Sequence, residues 1–223
     1  MRIVDVIPKI KIHWLALVVL SITNALLCQP AIAKDWQFDV YLDQTKIGQH
    51  TFKLNPAATE LTSVAKFNVK ILFFNAYQYD HNAKEKWQGD CLTSLDATTI
   101  EDSVATKVIG QLSTKNLVVD DGKNKQNLPV CSMTFAYWNP KILTQSQLLN
   151  PQNAEWLDTK FTKLGVERIE IKGQKLDATH YQLEGSLAGK NKLKIELWYT
   201  NNNDWVALKS TTETGDVIQY KLR

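Results

Sequence analysis

The sequence predicts a mainly all-β domain, either a strongly curved antiparallel sheet or an incomplete β-barrel. Three observations lead there. Apolar and polar residues alternate along most of the chain, as in Trp36, Phe38, Val40 and Leu42, which is the period of a half-buried strand. The alternating runs follow one another across short polar breaks such as 43–46 and 201–204, which favours an antiparallel meander. About ten to twelve such runs fit the chain, and a sheet of that size curls because strand twist accumulates and open edges invite mispairing.

The chain has 223 residues, of which 44% are hydrophobic and 22% charged, an ordinary globular composition. That length suits one β domain. The formal net charge is +3. Setting aside Arg2, Lys9, Lys11 and Asp5, residues 34–223 hold 23 basic against 22 acidic side chains, a net +1. Nucleic-acid binding needs clustered Lys and Arg, so no nucleic-acid partner is expected.

The N-terminus reads as a targeting signal. Arg2, Lys9 and Lys11 precede an uncharged run over 12–33, with an apolar core at 14–20 and an end at Ala31, Ile32 and Ala33. Basic, apolar, then small residues mark a secretory signal peptide, here 1–33, followed by a single β-rich domain over 34–223. Two alternatives are disfavoured. Cys28 as a lipidation site is disfavoured by the bulk of Leu27. An uncleaved anchor is disfavoured because Thr23, Asn24 and Gln29 leave the apolar part short of the roughly 20 residues a span needs. The expectation is a periplasmic or secreted protein with no transmembrane span after cleavage. In such an oxidising compartment, Cys91 and Cys131 are most simply a disulfide. Neither a C-x-x-C motif nor a nearby Cys/His set supports a catalytic thiol or a metal pair.

In order, 36–54 reads as a hairpin and 61–73 as a longer strand, after which Leu72, Phe73 and Phe74 turn both faces apolar. In 77–87, Tyr77, Tyr79, His81, Glu85 and Trp87 share one face. Short strands follow at 91–100, 104–112 and 115–119. Between Cys131 and Leu149 the alternation fails, and the pairs Ile142, Leu143 and Leu148, Leu149 suggest one or two short helices around residues 132–150, covering one face or plugging one mouth of the sheet. Strands resume at 156–164, 167–172, 178–184, 192–200, 205–212 and 217–222.

Several stretches together resemble a known group. They are Trp36 to Asp43 with Ile47, Gly48, His50 and Phe52; Tyr77, Tyr79, His81, Glu85 and Trp87 before Cys91; Phe135, Tyr137, Trp138, Asn139 and Pro140; Leu148 to Gln152; and Leu197, Trp198 and Tyr199. The chain is similar over nearly its whole length to an uncharacterised family of exported bacterial proteins of unknown activity. That family in turn resembles, in fold, open-barrel carriers that hold acyl chains. The resemblance implies a possible binding cavity and names no ligand.

The ligand-binding candidates are Phe135, Tyr137, Trp138, Tyr79, His81 and Trp87, since Trp and Tyr pair an apolar body with a polar tip. Core packing is the plainer reading of the same aromatics. The tryptophans as glycan-stacking platforms face the same plain reading. His50, His81 and Glu85 could suggest a metal or acid–base set, but residues four apart on a strand are about 13 Å apart along it. Glu85 with Asp80 would be the pair for sugar hydrolysis. There is no Gly-x-Ser-x-Gly, Ser132 directly follows a cysteine, and no glycine-rich phosphate loop exists, so neither a catalytic residue nor a cofactor is predicted. Three functions compete: a periplasmic carrier for an apolar or acyl ligand, an envelope protein acting through protein partners, with 72–74 as its contact, and a glycan-acting enzyme.

Overall fold

The computed structural model describes residues 33–71, 74–212 and 215–223. The expected signal segment and the Leu72–Phe73 pair therefore fall outside the described residues, apart from Ala33. Alternation dominates what is described. The first half contains β1 (Lys34–Leu42), β2 (Thr45–Leu54), β3 (Glu60–Ile71), β4 (Phe74–Gln88), β5 (Cys91–Glu101), β6 (Val104–Leu112), β7 (Leu117–Asp120) and β8 (Lys125–Leu128). The second half contains β9 (Gln147–Leu149), β10 (Trp156–Ile171), β11 (Gln174–Leu187), β12 (Lys190–Thr200), β13 (Trp205–Thr211) and β14 (Val217–Leu222).

All fourteen strands join one antiparallel sheet with the order β8-β7-β6-β5-β4-β3-β2-β1-β14-β13-β12-β11-β10-β9. The chain meanders outward from β1 to the edge strand β8, re-enters at the opposite edge, β9, and meanders back until β14 pairs with β1. The first and last strands are therefore central, and 129–146 links the two edges. The sheet is not closed, as β8 and β9 are not hydrogen-bonded neighbours.

The connector occupies the space a closed core would fill. Ser132, Met133, Thr134, Ala136 and Ile142 are buried, and Phe135, Tyr137, Trp138 and Leu143 pack against the apolar clusters of both halves of the sheet. Cys91–Cys131 ties it to the start of β5 with a Cα–Cα distance of 4.1 Å. Leu92 N–H donates to Ser132 O at 3.1 Å, and Asn139 Nδ2 donates to Asp90 Oδ1 at 2.9 Å. From the other half, the Tyr199 hydroxyl donates to Tyr137 O at 2.8 Å.

Two expectations are corrected. The one or two helices around 132–150 are reduced to a 3-10 turn, Pro140–Thr144, with Asn139 as its N-cap, followed by β9. Before Pro140 the backbone folds in tight turns, with Ala136 N–H donating to Thr134 O and Tyr137 N–H to Phe135 O, a pattern that consumes the groups a helix would pair. Leu148 and Leu149 are both fully buried because β9 is an edge strand covered on both faces, which explains the broken alternation. The runs 156–164 and 167–172 form one strand, β10, interrupted by a register shift between Lys163 and Gly165, where Gly165 adopts φ 140°.

Among the described residues no helix is long and apolar enough to cross a membrane.

Candidate functional site

Register determines what faces inward. Across β2, β3, β4 and β5, one row aligns Phe52, Ser63, Ala83 and Ala97, and the next aligns His50, Ala65, His81 and Thr99. Ser63 and Ala83 are small where a solid core would need large side chains, and the space in front of them is not filled from the opposite wall; Ala65 and Ala97 are buried among neighbouring core side chains. The result is a two-lobed cavity, bounded opposite by Ile195, Leu208 and Ser210 and bordered by Tyr137 of the connector. The lobes share His50, Phe52, Tyr137 and Gln152.

The larger lobe, about 580 Å³, is mainly apolar, with Ile47, Phe67, Val69 and Ile218 beside the rings of Tyr79 and Tyr220. The smaller, about 360 Å³, is polar, with Ser63, His81, Glu85, Asn150 and Asn153 under Phe135 and Trp138. Both volumes lie in the range of small-molecule sites, roughly 300–1,000 Å³.

Burial governs the ionisable groups inside. His50 Nε2 lies 2.7 Å from Ser63 Oγ, and its Nδ1 lies 3.3 Å from the Tyr220 hydroxyl. Desolvation, with help from nearby His81, holds His50 well below the usual histidine range. His81 Nδ1 is 2.9 Å from Thr99 Oγ1, and burial lowers its pKa to about 4. Glu85 is buried and accepts from the Trp87 indole N–H at 3.1 Å. Desolvation raises its pKa to about 7 against the opposing pull of Thr134 and Trp87. The Thr134 hydroxyl approaches that carboxyl without completing a directed hydrogen bond. Near neutral pH both histidines are therefore uncharged and Glu85 is about half protonated.

Of the six candidates, Phe135, Tyr137, Trp138 and His81 line the polar lobe, and Tyr79 with Tyr137 lines the apolar one. Trp87 lines neither; it packs edge-on against Trp138 at 5.5 Å and holds Glu85. His50, Phe52, Ser63, Ile195 and Tyr220 were not among the candidates, yet they form walls of the cavity. The small residues at 63 and 83 are the signal that could have pointed to them.

The catalytic alternatives fare poorly on geometry. Asp80 lies on the face opposite Glu85, where Lys66 Nζ is 3.4 Å from it, so the two carboxyls do not pair. Ser63 and His50 touch as a nucleophile and base would, but β3 is paired on both sides, which engages its backbone N–H groups and leaves none of them as an oxyanion donor beside Ser63. Tyr220, and no carboxylate, meets the other ring nitrogen of His50. Ser132 donates to Pro129 O at 2.7 Å, a turn contact. Among the described residues no cluster of three or more His, Cys, Asp or Glu could hold a metal ion.

His180 belongs to the outer face. It stacks on Trp198 at 4.3 Å, its Nδ1 is 2.7 Å from Glu167 Oε1, and its Nε2 is 2.9 Å from Glu196 Oε2 in an ion-pair contact without hydrogen-bond alignment. A concavity of about 460 Å³ adjoins this network, between the β10–β11 turn at 169–173 and the outward side chains Trp198, Lys209, Gln219 and Lys221.

The fold and cavity define a class: an open, β-barrel-like shell from one antiparallel sheet. Within it, residues 38–223 match the family described as "Domain of unknown function (DUF6134)", and the chain belongs to that family. A solved β-barrel-like protein of the domain of unknown function DUF1849 from Brucella abortus is similar to it, with a TM-score of 0.64 and 12% identity over 85% of this chain and 94% of that one. At that identity the likeness is one of fold alone. No curated protein matches the chain.

Proposed function

We propose that this protein is an exported, periplasmic carrier that holds an apolar or acyl ligand inside its shell. One observation carries the reading: the interior is hollow, with an apolar lobe of about 580 Å³ opening into a polar lobe. An amphiphile fits such a cavity, its chain against Phe67, Val69 and Ile218 and its head near His81 and Glu85. Phe135, Tyr137, Trp138, Tyr79 and His81 contact the ligand, and Trp87 positions Glu85 from behind. Export by a signal peptide cleaved after Ala33 accords with the basic and apolar N-terminus and with a disulfide that would persist outside a reducing cytoplasm.

Native mass spectrometry of protein purified from its envelope fraction without detergent tests both parts. The reading predicts a chain beginning at Lys34 with a co-purifying lipid-sized adduct. A bare mass in repeated preparations would contradict the carrier, and a chain retaining residues 1–33 would contradict cleavage.

A further inference from the structure

Building on the carrier reading, we infer that the polar lobe receives an uncharged, oxygen-bearing head group, so that the ligand is a neutral acyl lipid of the acylglycerol kind rather than a phospholipid or a fatty acid anion. The charges lining the cavity point there. Among the described residues, Lys192 is the one Lys or Arg lining either lobe, and its Nζ is already 3.2 Å from Glu155 Oε1. Carboxylates line the same cavity: Glu101, which accepts from the Tyr77 hydroxyl at 2.9 Å, and Asp216. A phosphate or carboxylate head would leave water for a site with no unpaired cation and with acidic neighbours, which is unfavourable at low dielectric.

Neutral partners are present instead. Trp138 lines this lobe, and its buried indole N–H finds no acceptor among the described residues, so an ester or hydroxyl oxygen that reaches it would satisfy it. Asn150 and Asn153 spend their side-chain oxygens on the backbone N–H groups of Gln152 and Glu155, each at 3.0 Å, which leaves their amide nitrogens as donors. Burial lowers the pKa of His81 and raises that of Glu85, and a charged head group placed beside them meets the same desolvation cost.

The test is displacement of a fluorescent acyl probe from purified, delipidated protein at pH 7 by a monoacylglycerol, a lysophosphatidate and a fatty acid of one chain length. The expected result is displacement by the monoacylglycerol at least tenfold more effectively than by either anion. Equal displacement, or preference for an anion, overturns the head-group assignment and leaves the carrier reading standing. Failure of the probe and all three lipids to bind overturns the carrier reading and this inference with it. Trp138→Phe keeps an aromatic ring and removes the donor; it should weaken monoacylglycerol about fivefold more than it weakens the fatty acid. An undiminished monoacylglycerol affinity would remove Trp138 from the head-group site.

Discussion

The inner and outer faces of this sheet treat the same residue types in opposite ways. Outside, His180 sits between Glu167 and Glu196, Lys209 Nζ is 2.8 Å from Glu196, and the Trp198 indole N–H donates to Glu167 at 3.0 Å. There, hydrogen bonds from Trp198 and His180 hold the Glu167 carboxyl below the usual carboxylate range. Inside, Glu85 has only neutral hydrogen-bond partners, and desolvation pushes it the other way, to about 7. His81 has a threonine for a partner and falls to about 4. The outer face uses charge to fasten strands together, whereas on the inner face burial penalises the charged forms of His50, His81 and Glu85. An interior of that kind suits a neutral guest and disfavours ions.

Four changes would break or sharpen this contrast. The largest effect is expected from opening the interior. Replacing Cys91 and Cys131 together by Ser frees the connector that borders the cavity, and the chain-entropy model predicts a loss of up to about 4 kcal/mol for a loop of this length. Thermal unfolding should show it, together with weaker probe binding, while the outer network is left in place.

The second change isolates the inner carboxyl. Glu85 has a folded pKa of about 7, above its reference value of 4.5, so the folded state holds its proton more tightly. Its contribution is fully present below pH 4.5 and is lost as pH rises towards 7. Glu85→Gln lacks that loss. Relative to the parent it should gain about 2–3 kcal/mol between pH 4.5 and 8, read from denaturant midpoints across the series. His81 acts with the opposite sign. Its folded pKa of about 4 lies below the reference of 6.5, so stability falls as the medium is acidified between those values.

The third change strains the wall. A Cβ at Gly48 would lie 1.9 Å from the Lys66 backbone oxygen on β3. Gly48→Ala should destabilise by about 1–3 kcal/mol in urea unfolding, because β2 must move away from β3. The smallest effect is expected outside. His180→Ala removes the stack on Trp198 and both carboxylate contacts, yet Glu167 is half-exposed, so a loss of about 1 kcal/mol with unchanged ligand binding is predicted. A large loss of binding in this variant would end the separation of the two faces.

Much of the shell was legible in the sequence, and the cavity was not. Alternation in 36–42 and 193–199 marks the inward residues directly, and the even pair of cysteines over 34–223 indicates the disulfide. The connector was legible as a break in pattern but not in shape. Ile142 and Leu143 suggest a helix, yet the tight turns before Pro140 and the need to reach both edges permit only one 3-10 turn. The hollow interior depends on Ser63 and Ala83 falling side by side, and that follows from register between strands, which no single run of alternation reveals. The same limit hid Phe52 and Tyr220, which meet at the cavity from β2 and β14.

The central claim is that the shell is hollow and holds a lipid, and a crystal structure of protein purified without detergent tests it most directly. The account predicts elongated density in the apolar lobe beside Phe67, Tyr79 and Tyr220, with its polar end reaching towards His81 and Trp138. Rings of Phe67, Tyr79 and Tyr220 closed onto Tyr137 in a solid core, with no space left between the walls, would contradict it.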